Sequence, residues 1–182
     1  MKIAVIGGVA AGTSAAAKAS RTNEDAEIVV FEKGEDISYA GCGLPYYISE
    51  VTESRGKVVI NTPAEFEEKY GVEVKTKHEV TDINTEQKVL KFKDLENDSE
   101  GQYEYDKLII TTGAKPVVPP IDGIDLDNIR PLRTVKDADL IKEEVKDAQK
   151  VTIIGAGLIG LEMAESFAEL DKEVTVVELQ DK

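Results

Sequence analysis

Apolar positions divide the chain into short runs whose spacing changes from one region to the next. Residues 2–6 form an apolar run that meets Gly7, and small residues from Ala10 to Ala19 then lead into the charged stretch 21–25. This pattern predicts strand, tight turn and helix. A second run, EIVVF, closes on Glu32 and completes a βαβ unit of the length spanned by a right-handed crossover. From 72 to 105 the period shortens to alternation in VEVKT, EVTDI, KVLKF and QYEYD, which predicts an antiparallel meander. Residues 108–112 read as a continuous apolar strand ending at Thr112-Gly113-Ala114. The Pro-rich 115–120 cannot continue a sheet and reads as a connector. Residues 137–150 have helical spacing and many charges, as in a solvated helix. Strand VTII, turn GAGLIG, helix LEMAESFAEL and strand EVTVVE then repeat the opening architecture roughly 150 residues later. The predicted fold is α/β: a Rossmann-like parallel sheet interrupted by a meander over about 72–105, then the start of a second Rossmann unit, with a boundary between 148 and 149.

The two strand-to-helix turns carry the first chemistry. Gly155, Gly157 and Gly160, with Leu158 and Ile159 between, form an intact G-x-G-x-x-G at the opening of a helix, and Glu178 ends the next strand. The first glycine permits the turn, the second admits a pyrophosphate to the backbone and the third lets helix and strand approach. The helix N-terminus supplies partial positive charge and open N–H groups. Glu178 can accept both ribose hydroxyls and would repel a 2′-phosphate, so NADH is favoured, with NADPH the alternative. The competing reading is a glycine-rich turn used only for packing. The first turn is irregular: Gly7 and Gly12 hold the outer positions, Val9 stands in the middle, and Gly8, Ala10 and Ala11 keep the turn small. Glu32 occupies the strand-end position of the ribose acid. Thr112 and Gly113 offer a third close backbone approach to a ligand, which alone reads as a simple strand ending.

A net charge of −14 repels nucleic acid and anionic membrane surfaces, so neither is an expected partner. No apolar run reaches the roughly 18–20 residues of a membrane helix, and MKIAVIGG lacks a signal-peptide core, so a cytoplasmic location is expected. No metal site is predicted. His78, between Lys77 and Glu79, is expected to be exposed and without chemical role. A single cysteine excludes an internal disulfide framework and leaves Cys42 as inert packing or a reagent.

Cys42 sits in SYAGCGLPYYI, after small residues and before a predicted helical turn with Pro45 near its start, where a helix N-terminus would stabilise a thiolate. The segments GGVAAG, FEK, SYAGCGLPYYI, TTGA and GAGLIGLE, in that order along the whole chain, resemble the coenzyme A disulfide reductases and their NADH oxidase and NADH peroxidase relatives. These belong to the pyridine nucleotide-disulfide oxidoreductases. The resemblance accounts for Val9, since the family places Val at the middle position of its FAD cradle. It implies that Gly7, Gly12, Glu32 and Lys33 contact the adenosine and pyrophosphate of FAD, that Thr112 and Gly113 pass beside the cofactor, and that Cys42 lies against the flavin. The implied chemistry is hydride transfer from NADH to flavin, reduction of a Cys42 mixed disulfide with coenzyme A, and attack of the thiolate on the next disulfide.

Peroxidase members carry His where this chain has Ala10, which disfavours peroxide reduction; oxygen reduction stays open. Ser14, Lys18 and Arg21, at i, i+4 and i+7, share one helical face, and two cations there could hold the phosphates of coenzyme A; the alternative is an ordinary solvated helix end. By resemblance this face, with Ser38 and Gly41, lines the substrate pocket beside Cys42. Many relatives have Asn at Gly41, so one polar contact to substrate is in doubt. Glu162 either orients the nicotinamide region or supports the helix start, and Tyr46 and Tyr47 are expected to pack, the alternative being that either borders the cysteine pocket. The resemblance also implies an amino-terminal fragment: an FAD-binding part over 1–148 and a truncated NAD(P)H-binding part over 149–182. Alone these are expected to be inactive and poorly stable, the intact protein being a homodimer. Three functions stand: a coenzyme A disulfide reductase acting on that or another small disulfide, an NADH oxidase, and a non-catalytic dinucleotide-binding module.

Overall fold

The structure, a computed structural model, describes Met1–Asp181. Its elements are β1 (Lys2–Ile6), α1 (Ala10–Thr22), β2 (Glu27–Phe31), a 3₁₀ turn (Gly41–Gly43), α2 (Leu44–Ile48), α3 (Arg55–Val58), α4 (Pro63–Tyr70), β3 (Glu73–Lys75), β4 (His78–Asn84), β5 (Val89–Asp94), β6 (Ser99–Glu104), β7 (Lys107–Ile110), α5 (Val135–Asp147), β8 (Lys150–Ile154), α6 (Leu158–Glu169) and β9 (Glu173–Val177). No helix among the described residues is long and apolar enough to cross a membrane. The chain divides into two compact units.

The first unit comprises Met1–Tyr39 and Val59–Ala114. Its parallel sheet has the order β3-β2-β1-β7, with Ala4 opposite Val29 on one side and Leu108 on the other. Both faces are covered, which explains why β1 and β2 read as unbroken apolar runs. On one face Ile3, Val5, Ile28 and Val30 meet Ala16 and Ala17 of α1 and Phe66 of α4. On the other, Ala4, Val29 and Phe31 meet Leu90 and Tyr105, and the Phe31 ring stands 5.2 Å from Phe92 and 5.5 Å from Tyr103. Helix α4 starts on a capping box between Thr62 and Glu65, with Pro63 in its first turn, and stops at Gly71 in the left-handed region.

One expectation is corrected here. Of the four alternating segments, only the last three form the meander, as the antiparallel sheet β4-β5-β6. VEVKT becomes β3, which pairs parallel with β2 at the edge of the main sheet, Val30 opposite Val74. An edge strand buried on one side alternates just as a meander strand does, so its pattern cannot reveal its partner.

The second unit comprises Ala40–Val58 and the chain from Lys115 onward. Residues 115–133 carry no regular element. Helix α5 begins at Val135 on a second capping box, Thr134 with Asp137, and buries Val135, Ala138 and Val145. It therefore starts earlier than its charge pattern suggested and is solvated on one face only. Helix α2 packs on α5 and α6, and β8 and β9 pair in parallel, Thr152 opposite Thr175.

Candidate active site

The first cradle lies where β1 meets α1. Gly7 turns the chain at φ +98°, and its N–H donates to Phe31 O at 2.8 Å. A Cβ on Gly7 would strike Thr111 O, and one on Gly12 would strike Gly7 O, so both positions require glycine. Thr111 fixes this turn by donating its hydroxyl to Ile6 O at 2.8 Å and Gly7 O at 3.0 Å. Glu32 closes the far side: one carboxylate oxygen accepts from Gly8 N–H and the other from Gly34 N–H, both at 2.7 Å. Val9 occupies the N-cap position of α1 without a side-chain cap, the first turn has no acidic residue, and Ala10 and Ala11 are exposed. Open N–H groups, a concavity that a Cβ would fill and an ordered acid fit a dinucleotide pyrophosphate and ribose. Lys33 is exposed and pairs with Glu79 at 3.3 Å.

The second cradle repeats this geometry. Gly155 has φ +103° and donates to Val177 O at 2.8 Å, and a Cβ on Gly160 would strike Gly155 O. Glu178 accepts from Ala156 N–H at 2.7 Å and Gln180 N–H at 2.9 Å. The Ala156 bond first, then those from Gln180 and Leu179, holds its carboxyl below the ordinary value. These bonds do not use up the roughly four lone-pair positions of a carboxylate, which leaves room to accept a ribose hydroxyl. Gly157 precedes α6 as its N-cap, and Leu158, Ile159 and Glu162 are exposed. A Cβ on Gly157 meets nothing within 4 Å, so this middle position makes no internal packing demand.

Cys42 is exposed at the centre of the 3₁₀ turn, and Gly43 N–H donates to Ala40 O at 2.9 Å. The sulfur is therefore not sealed in a core. The helix that follows is only five residues long. It is the short helical turn over Leu44–Ile48 expected from the sequence, with Pro45 near its start. Within α2, Leu44, Pro45, Tyr47 and Ile48 are buried, whereas Tyr46 is exposed, against the expectation that both tyrosines pack. The helix face that reaches α5 and α6 selects Tyr47.

Ser14, Lys18 and Arg21 are all exposed along α1, as their spacing requires, and the Arg21 guanidinium lies 5.7 Å from the Tyr70 ring centroid. Ser38 is buried at φ +50°; its N–H donates to Gly8 O at 2.9 Å, and its hydroxyl accepts from Asn61 Nδ2 at 2.9 Å. A serine held in the left-handed region stores backbone strain beside the first cradle. Gly41 is exposed, and a Cβ there meets nothing within 4 Å. Thr112 is exposed and Gly113 follows at φ +68°. His78 is half-buried rather than exposed: its ring sits 5.3 Å from Phe92, with Nδ1 2.7 Å from Thr76 O.

Sequence reasoning missed Thr111, and it missed Asp139, which accepts from the Tyr47 hydroxyl at 2.9 Å and from Arg55 Nε at 3.1 Å. The repeated threonine of TTGA could have signalled the first. Nothing local signals the second.

Two strand-turn-helix cradles of one design, set in parallel α/β units, define a Rossmann-type fold, whose structural neighbours are FAD- and NAD-binding oxidoreductases. The chain matches the pyridine nucleotide-disulphide oxidoreductases over residues 1–182 and belongs to that family. An NADH oxidase of Enterococcus faecalis is 37% identical over 182 residues, and a coenzyme A disulfide reductase of Staphylococcus haemolyticus is 37% identical over 183. The match takes in 100% of this chain but 41% of each of these curated relatives. The structure of reduced CoADR-RHD of Bacillus anthracis superposes with a TM-score of 0.97 at 40% identity, covering 100% of this chain and 33% of that one.

Proposed function

We propose that this chain forms the FAD-binding part, over 1–148, and the opening of the NADH-binding part, from 149, of a reductase of coenzyme A disulfide or a related small disulfide. The observation that carries the reading is the exposed Cys42 in a glycine-flanked turn, in a chain whose two cradles fit two dinucleotides. Gly7, Gly8, Val9, Gly12 and Glu32 would hold the adenosine and pyrophosphate of FAD, with Lys33, Thr112 and Gly113 beside it. Gly155, Gly157, Gly160 and Glu178 would hold NADH, and the ionised Glu178 would repel the 2′-phosphate of NADPH. Bound there, the flavin supplies the two-electron link between a nicotinamide hydride and a disulfide.

Cys42 acts as the attacking sulfur. Its thiolate attacks one sulfur of the substrate disulfide, the Cys42–substrate S–S bond forms as the substrate S–S bond breaks, and the departing thiolate takes a proton from solvent. Two electrons then return the Cys42 mixed disulfide to thiolate and release the second thiol. Lys18 and Arg21 supply the cationic face for the phosphates of coenzyme A, with Ser14, Ser38 and Gly41 as further contacts.

The test is NADH-dependent release of thiol from coenzyme A disulfide by the purified full-length protein. Cys42→Ser is expected to abolish it, and mass spectrometry under non-reducing conditions is expected to find coenzyme A on Cys42. A variant that keeps turnover without the sulfur would refute the reading. The equal identity to an NADH oxidase supports a second reading, oxygen as acceptor, for which rapid oxygen uptake without any disulfide is the expected sign.

A further inference from the structure

The segment that carries Cys42 is held at a place its sequence does not announce. Tyr39 pairs with Val59, and within the second unit Ala40 N–H donates to Val58 O at 2.9 Å, so residues 40–58 leave and return at one point. The body of this excursion is tied to α5. Tyr47, 8% exposed, donates its hydroxyl to one oxygen of Asp139 at 2.9 Å, and Arg55 donates to the other at 3.1 Å. Lys142, one turn further along α5, donates to Tyr47 O at 3.1 Å, lies 4.7 Å from the centre of the Tyr47 ring and pairs with Glu50 at 3.2 Å. One carboxylate thus receives two separate elements of the excursion, Tyr47 from α2 and Arg55 from α3. Burial, and then Asp139, raises the Tyr47 phenol above its ordinary value, so it remains a donor throughout the neutral range.

We propose that Asp139, acting through Tyr47 and Arg55, is a positioning residue for the Cys42 thiol. It touches no reacting atom. Between the neck and this clamp the bonds are short-range, Gly43 N–H to Ala40 O at 2.9 Å and Leu44 N–H to Gly41 O, so they join the 3₁₀ turn to α2 and its orientation depends on α2 staying seated. A hydrogen bond to a charged partner is strong enough for its loss to free a local segment without unfolding the rest. The proposal rests on Cys42 being the redox thiol, and its test separates the two claims.

In the full-length protein with its cofactors bound, Tyr47→Phe, Asp139→Ala and Asp139→Asn are compared with wild type. Three quantities are read: hydrogen–deuterium exchange of residues 41–58, the rate at which NADH bleaches the flavin, and disulfide turnover. Tyr47→Phe and Asp139→Ala are expected to speed exchange of the excursion about tenfold, the equivalent of one charge-assisted bond, and to slow disulfide turnover by a similar factor. Flavin bleaching is expected to stay at the wild-type rate. Asp139→Asn, whose amide oxygen still accepts from Tyr47 but whose nitrogen cannot accept from Arg55, is expected to fall between. Unchanged exchange over 41–58 would overturn the proposal. So would a parallel fall in both rates with faster exchange across α5 and α6, the mark of general loosening. Tyr47→Phe loses a single hydroxyl and carries the test if Asp139→Ala fails to fold. If Cys42→Ser keeps disulfide turnover, the thiol reading fails, while the exchange result still decides whether the clamp exists.

Discussion

At Gly12 and Gly160 an added Cβ would land on the carbonyl oxygen of Gly7 and of Gly155, backbone atoms that cannot move aside. Gly12→Ala and Gly160→Ala are therefore each expected to cost about 2–4 kcal/mol in urea unfolding. Gly41→Ala and Gly157→Ala, with open space around the new atom, are expected to stay within about 0.5 kcal/mol of wild type. Glu178 gives a pH signature. Its folded-state value is depressed by backbone N–H bonds, so what it contributes is present above its ordinary range near 4.5 and lost as pH falls through the lower folded value. The Ala156 amide resonance is expected to stay put down to that range and to shift below it, and Glu178→Gln should remove the step. At this scale the motif glycines and both strand-end acids were legible because each stands at a fixed place in a strand-turn-helix-strand pattern. Asp139 was not, because its partner Tyr47 lies 92 residues away.

Among the elements, the two βαβ units were readable from their apolar runs: those of β1 and β2 are buried on both faces, whereas β8 and β9, which stay largely exposed, were betrayed by the glycine turn between them. Partner choice was not readable. VEVKT joined β2 rather than the meander, and the side of α2 that would be buried depended on helices more than 80 residues further on. Helix boundaries depend on caps. Thr134 accepts from Asp137 N–H, while the Asp137 carboxylate accepts from Thr134 N–H. Thr134→Ala is expected to destabilise α5 by about 1 kcal/mol, read as a lower urea midpoint with unchanged slope. Because α5 carries Asp139 and Lys142, the same substitution is expected to quicken exchange in residues 41–58. A similar box on α4 depends on ionised Glu65, whose carboxyl Thr62 N–H and hydroxyl hold below the usual value. Its contribution is present at neutral pH and disappears as acid takes the pH through that lowered value.

Over the whole molecule, the last βαβ unit leaves large aliphatic side chains in water. Leu158 is 83% exposed and Leu179 97%, with Ile154, Ile159, Leu161 and Val177 also more than half exposed. Apolar surface of this kind beside open strand edges favours association. A polypeptide of these 182 residues is expected to sediment as concentration-dependent oligomers, and Leu158→Ser with Leu179→Ser to shift it toward monomer; a single monomer boundary at all concentrations for the unaltered chain would contradict this.

Because residues 40–58 depart and rejoin the main chain at paired positions, Tyr39 and Val59, they form a portable cassette. Exchanging it between family members would leave both glycine turns untouched and move only the sulfur and its immediate surroundings. If Cys42 is the redox thiol proposed above, relatives that share one scaffold can diverge in electron acceptor through a single short graft, provided that the recipient helix offers an equivalent of Asp139.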